Sequence, residues 1–166
     1  MVNTFFLDSS AIVKYYKQES GTTWVQNIIE SAQNHQFFLS QITLAEVAAV
    51  IACMHRASDG ITQQERDTIL DTFLDHTKTE YQIIPTSNTI IDKAVHLTQY
   101  YRLRGCDSIQ LATAIIANNT LLAKNVSPLT FVAADNDLIT AAQAEDILTE
   151  NPNDYPQNGD VWNVLN

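Results

Sequence analysis

Short apolar runs of strand length alternate with stretches of helical periodicity along almost the whole chain, and few architectures accept that alternation. Phe5-Phe6-Leu7, Gln36-Phe37-Phe38-Leu39-Ser40, Tyr81-Gln82-Ile83-Ile84-Pro85 and Leu129-Thr130-Phe131-Val132-Ala133-Ala134 read as strands, and Asp146-Ile147-Leu148-Thr149-Glu150 suits a last edge strand. The segments between them carry helical spacing. Strands that alternate with helices imply a mostly parallel sheet covered on both faces, so the fold class expected is α/β, a three-layer α/β/α sandwich. The chain of 166 residues fits one domain, over 1–152, large enough to bury roughly two-thirds of the surface its unfolded form exposes. The polar stretch 153–166 reads as a tail in which Val161-Trp162 is the part suited to docking.

Trp24, Val25, Ile28 and Ile29 recur at helical spacing and place a helix up to about Gln33. From Ile42 to Met54 the polar side chains are Thr43 and Glu46 alone, and a helix apolar on every side is expected to be buried. Glu46 would then sit in the core or at its rim, where an unpaired charge costs several kcal/mol. A helix with Ile69, Leu70, Phe73 and Leu74 on one stripe opens near Thr62 and Glu65, and another carries Ile90, Ile91, Ala94, Val95 and Leu97. Arg102-Leu103-Arg104-Gly105 leads into a helix of small residues on which Asp107 lines up with Leu111 and Ala114, the inward face. Periodicity does not choose between a helical turn and an extended stretch at Leu121-Lys124.

Two acids directly follow strands, Asp8 after Phe5-Leu7 and Asp135 after Leu129-Ala134. Each of these, and Asp107, has an ordinary reading as a helix cap or a charge placed against a helix dipole. Taken together they read differently, because ligand sites in open α/β sheets form beyond the carboxyl ends of the strands. If Asp8, Glu46, Asp107 and Asp135 converge, their repulsion demands divalent cations among them. An all-oxygen ligand set without His or Cys selects hard ions, Mg²⁺ or Mn²⁺ over zinc. The four histidines, His35, His55, His76 and His96, form no metal-binding pair with one another.

The net charge of -10 argues against nonspecific attraction to phosphate backbones. Two divalent ions would bring the working charge to about -6. A polyanionic substrate would therefore depend on metal and on a local basic rim, for which Lys14, Lys17, Arg102, Arg104 and Lys124 are the candidates. Cys53 and Cys106 lie far apart without a CxxC pattern, which suits two buried thiols in a reducing cytoplasm and not a zinc site or a disulfide. No apolar run approaches the roughly 18 residues of a membrane span, and no Gly-rich phosphate loop follows a strand.

Leu7-Asp8-Ser9-Ser10-Ala11-Ile12-Val13-Lys14, Leu44-Ala45-Glu46-Val47, Arg104-Gly105-Cys106-Asp107-Ser108-Ile109-Gln110-Leu111-Ala112-Thr113-Ala114 and Phe131-Val132-Ala133-Ala134-Asp135-Asn136-Asp137-Leu138 stand in the order of four signature blocks. They resemble those of PIN-domain ribonucleases, in particular the VapC toxins of VapBC toxin-antitoxin systems. The resemblance implies a PIN-like sandwich and metal-dependent cleavage of RNA. It matches Asp8, Glu46, Asp107 and Asp135 to the acidic quartet, with Asp137 as a supplementary ligand. It also implies a small antitoxin that places an arginine on the carboxylates, and a homodimer. Ala133 is a departure, standing where many members carry Thr or Ser.

On this reading Asp8, Asp107 and Asp135 hold Mg²⁺ or Mn²⁺, and Glu46 orients a water or holds a second ion. Ser9 and Ser10 are helix-cap candidates with substrate phosphate as their alternative partner, and Lys14 and Arg104 are candidates for a backbone phosphate. Two other classes compete. Asp8 as the nucleophile of a phosphatase lacks a second acid two residues on. A PIN-fold binding module whose acidic pocket holds a partner's arginine fits the net charge and Ala133.

Overall fold

The computed structural model describes residues 3–31 and 35–156. In chain order the elements are β1 (Asn3–Leu7), α1 (Ser9–Tyr16), α2 (Thr22–Glu30), β2 (His35–Ser40), α3 (Gln41–Arg56), α4 (Gln63–Thr79), β3 (Gln82–Ile84), α5 (Asn88–Tyr100), α6 (Gly105–Ala123), β4 (Thr130–Val132), α7 (Asn136–Ala144) and β5 (Leu148–Glu150), with a 3₁₀ turn at Pro152–Asp154. The strands form one parallel sheet in the order β3-β2-β1-β4-β5. The chain leaves β1 toward β2 and β3 and later returns to β4 on its other side, so the strand order reverses between β1 and β4. That is where a sheet of this kind opens a crevice at its carboxyl edge.

Alternation along the strands sends successive residues to opposite layers. Phe6 and Phe131 enter the cluster built with α5, α6 and α7, where their rings stack at 5.7 Å. Leu7 and Val132 enter the cluster on the other face, with Ala11, Val25, Val47, Ile51 and Phe73 from α1 to α4. The three-layer α/β/α sandwich expected from the alternation is the observed fold.

Local signals set several boundaries. Thr62 and Glu65 close a reciprocal capping box at the start of α4, Ser87 caps α5, and Leu121-Lys124 is resolved as the last turn and C-cap of α6. The end expected for α2 at about Gln33 falls outside the described residues, as does Val161-Trp162. Gly21 joins α1 to α2 at φ 83°, and a Cβ there would collide with the Pro152 carbonyl. The chain after β5 therefore packs closely on that turn, and Tyr155 stacks on Trp24 at 4.9 Å.

Three expectations fail, each for a physical reason. α3 is not buried on all sides: Thr43, Val47 and Ile51 are buried, while Ala45, Ala49 and Cys53 are exposed. Alanine offers so little apolar surface that a helix can show it to water at small cost. Cys53 and Cys106 are both exposed rather than buried: Cys53 shares the exposed face of α3 with Ala49, and Cys106 lies in the first turn of α6. Lys14, a candidate for the basic rim, is buried at 3 % exposure and donates to Glu19 Oε1 at 2.9 Å and to the Ser20 carbonyl at 2.7 Å. The turn between α1 and α2 folds over it and takes its charge.

Candidate active site

Asp8 ends β1 and caps α1. Its Oδ2 accepts from the Ser10 backbone N–H at 2.9 Å and from the Ser10 hydroxyl at 2.6 Å. The Ser10 hydroxyl in turn accepts from the Ala134 N–H at 2.9 Å, and the Asp8 N–H donates to the Val132 carbonyl at 2.9 Å. Asp8 is thereby fixed to both strands that flank the reversal in the sheet. It is 5 % exposed. Burial pushes its pKa up to about 6, against the lowering effect of the two Ser10 bonds, and the charges of Glu46 and Asp107 add to the rise. No Lys or Arg forms an ion pair with it among the described residues.

Glu46 approaches from α3. Its Oε2 accepts from the Ser9 hydroxyl at 2.5 Å and from Gln110 Nε2 at 2.7 Å. The Cys106 thiol also bonds to Glu46; burial first, then that acid's charge and hydrogen bond, pushes the thiol pKa up. Gln110 reaches inward from α6 and was not singled out by sequence reasoning, although it is one of few polar side chains in an apolar helical run, one turn after Asp107. Its amide nitrogen also lies 2.8 Å from Ser9 Oγ and 2.9 Å from Thr43 Oγ1, while its Oε1 is buried without a partner among the described residues. A buried acceptor left unpaired costs about 1–3 kcal/mol.

Asp107 and Asp135 occupy the outer part of the crevice. Asp107 accepts from the Arg104 N–H at 3.2 Å and from its guanidinium at 2.8 and 3.1 Å, in a capping box at the start of α6. Arg104 is itself 81 % exposed in its side chain. Its pKa is raised by the hydrogen bond and charge of Asp107, with a smaller contribution from Asp135. Asp135 Oδ1 caps α7 through the Leu138 N–H at 3.0 Å. A cavity of about 440 Å³ is lined by Tyr101, Arg102, Arg104, Asp107, Asp135 and Asp137, among others.

The arrangement places Asp8, Glu46, Asp107 and Asp135 on elements that meet at one edge of the sheet, with Asp137 in the outer cavity. Ser9 and Ser10 serve Glu46 and Asp8; Lys14 faces away. As the side chains stand, no three of the described His, Cys, Asp and Glu residues are close enough together to hold an ion. Asp107 is turned onto Arg104 and Asp135 onto its own helix. The chemistry of the donor set fits a divalent cation all the same, because it is all carboxylate and its deepest member lacks a counter-charge.

Residues 5–139 match the PIN domain. The chain belongs to the PIN-domain family. No curated protein matches the sequence. Several solved structures share the PIN fold with it at low identity. FitAB bound to an IR36 DNA fragment aligns at 16 % identity and a TM-score of 0.62, over 93 % of this chain and 99 % of that one. VapBC2 from Rickettsia felis, bound to a DNA fragment from its promoter, aligns at 19 % and 0.60 over 89 % and 98 %. VapC20 from Mycobacterium tuberculosis, a toxin that cleaves the sarcin-ricin loop, aligns at 12 % and 0.57 over 82 % and 94 %. At these identities the likeness shows a shared fold, by TM-scores of 0.57 to 0.62.

Proposed function

We propose that this PIN-domain chain is a divalent-metal-dependent endoribonuclease that hydrolyses RNA phosphodiester bonds. It would act in the cytoplasm as the toxin of a toxin-antitoxin pair, as a homodimer inhibited by a small antitoxin. The observation that carries the reading is Asp8: a carboxylate, without a counter-charge among the described residues, that burial first and then two further acids push toward its protonated form. A fold does not keep such a group on hydrophobic grounds, and a divalent cation is the partner that removes the penalty.

Asp8, Asp107 and Asp135 would hold Mg²⁺ or Mn²⁺, with Glu46 and Asp137 as supplementary ligands. When bound, the ion lowers the pKa of water and offsets charge developing on a phosphoryl group. The chain's own groups do the remainder. Ser10 holds Asp8 against the strand ends, and Glu46 accepts from and orients the attacking water. Asp107 gives up Arg104, whose exposed guanidinium then pairs with a backbone phosphate beside Arg102. The likeness to FitAB and VapBC complexes supports the antitoxin partner and its toxin role.

One observation favours a second reading as a PIN-fold binding module: Arg104 already occupies Asp107 with two guanidinium nitrogens, as a partner's arginine would. Cleavage of labelled single-stranded RNA decides between them, run with Mg²⁺, Mn²⁺ or EDTA and beside an Asp8→Asn/Asp107→Asn double variant. Metal-dependent cutting that the variant loses supports the nuclease. A folded protein that cuts none of several RNAs with any metal supports the module, and cutting retained in the variant overturns the site.

A further inference from the structure

We infer that Gln110 is a positioning residue that sets the orientation of the Glu46 carboxylate, an inference that rests on the nuclease reading above. Its amide nitrogen, on α6, lies within 2.9 Å of three oxygens from two other helices: Ser9 Oγ on α1, and Thr43 Oγ1 and Glu46 Oε2 on α3. An amide nitrogen carries two hydrogens, so three acceptors share two donors. Ser9 donates its own hydrogen to the same Glu46 oxygen, at 2.5 Å. Gln110 and Ser9 therefore converge on Oε2, and the Cys106 thiol also bonds to the same carboxylate.

The direction of the Gln110 amide is not arbitrary. Turned over, it would set its carbonyl oxygen against the Glu46 carboxylate where 2.7 Å now separates nitrogen from oxygen. The orientation that serves Glu46 leaves the Gln110 oxygen buried and unpartnered in a side chain 1 % exposed. A methionine or leucine would fill this space without leaving that acceptor orphaned. The side chain carries a polar cost whose return is the fixed geometry of an acid that belongs to the candidate site. Through Gln110 the α6 helix, which brings Asp107, is also tied to the α3 helix, which brings Glu46.

The test compares the full chain with Gln110→Met, Glu46→Gln and the double variant. It reads Mn²⁺ binding from the free-ion electron paramagnetic resonance signal, kcat and KM on labelled RNA, and thermal unfolding. Partners that orient a metal-site group typically contribute about 10–100-fold. Gln110→Met is expected to weaken Mn²⁺ binding about 10-fold and to lower kcat by about 10–100-fold, with KM within twofold and a cooperative melt retained. In the Glu46→Gln background the same change is expected to add less than twofold, because its effect passes through Glu46. If Gln110→Met does not fold, Gln110→Leu replaces it. Unchanged Mn²⁺ binding and kcat overturn the inference, as does a full additional loss in the Glu46→Gln background. A wild-type chain that neither binds Mn²⁺ nor cuts RNA overturns the nuclease reading itself, and this inference falls with it.

Discussion

The two ends of α1 each bury a charge, and the fold treats them in opposite ways. At the far end Lys14 is 3 % exposed, but its ammonium meets the Glu19 carboxylate and the Ser20 carbonyl, with Lys17 completing the group at 3.3 Å from Glu19. At the near end Asp8 is 5 % exposed, and among the described residues its carboxylate meets only the hydroxyl and N–H of Ser10, with two more acids beside it. Lys14 is a charge the chain has already neutralised. Asp8 is a charge left for something outside the chain to neutralise. Burial alone therefore does not mark a functional group; burial without a counter-charge does.

Replacing Asp8 should separate the two ends most. Its pKa is raised from 3.8 to about 6, so between those values the folded state binds more protons than the unfolded chain, and stability falls as pH rises through that window. The full penalty, on the order of 3 kcal/mol, is present above about pH 6. Asp8→Asn keeps an acceptor for the Ser10 N–H. It is expected to make the metal-free protein more stable at pH 7.5 by about 2 kcal/mol and to flatten the profile between pH 4 and 6. Urea unfolding across pH checks both. A variant less stable than wild type at pH 7.5 would break the comparison.

Lys14→Met should move the other way. Among the described residues it leaves Glu19 with the more distant Lys17 and the Ser20 carbonyl without its donor, so a loss of roughly 2 kcal/mol in urea unfolding is expected. Ser10→Ala comes next in size. It removes a bond to Asp8 and orphans the Ala134 N–H, for a loss of about 1 kcal/mol. It also raises the Asp8 pKa further, which a titration of the Asp8 carboxyl by nuclear magnetic resonance would record. Arg104→Gln is smallest: the side chain is solvated, so stability should change by no more than a few tenths of a kcal/mol. Weaker RNA binding in a filter assay with unchanged urea melting is the result expected.

Much of this was legible in the residues. The strand-helix alternation carried the layered architecture, and the acids that follow Leu7 and Ala134 carried the carboxyl edge. The strand order, with β1 at the centre, was not legible, because pairing between β1 and β4 joins residues more than a hundred positions apart. Lys14 was misplaced for a similar reason. Helical spacing gives its face, but the turn through Glu19 and Gly21 that covers it is a tertiary event. Gln110 left a weak signal as a polar residue in an apolar helix, and only the approach of α1 and α3 shows what it holds. The exposure of Cys53 and Cys106 follows from how α3 and α6 pack, which composition does not record.

Thermal unfolding at pH 7.5, with and without saturating Mn²⁺, for wild type and Asp8→Asn tests most directly whether Asp8 awaits a cation. A ligand at about 100 times its Kd stabilises by about 2.7 kcal/mol, which for a domain of this size is about 5–10 °C. The expected result is a rise of that size for wild type and none for Asp8→Asn, whose metal-free melt already lies higher. An equal Mn²⁺ shift in both proteins, or none in either, would contradict the account.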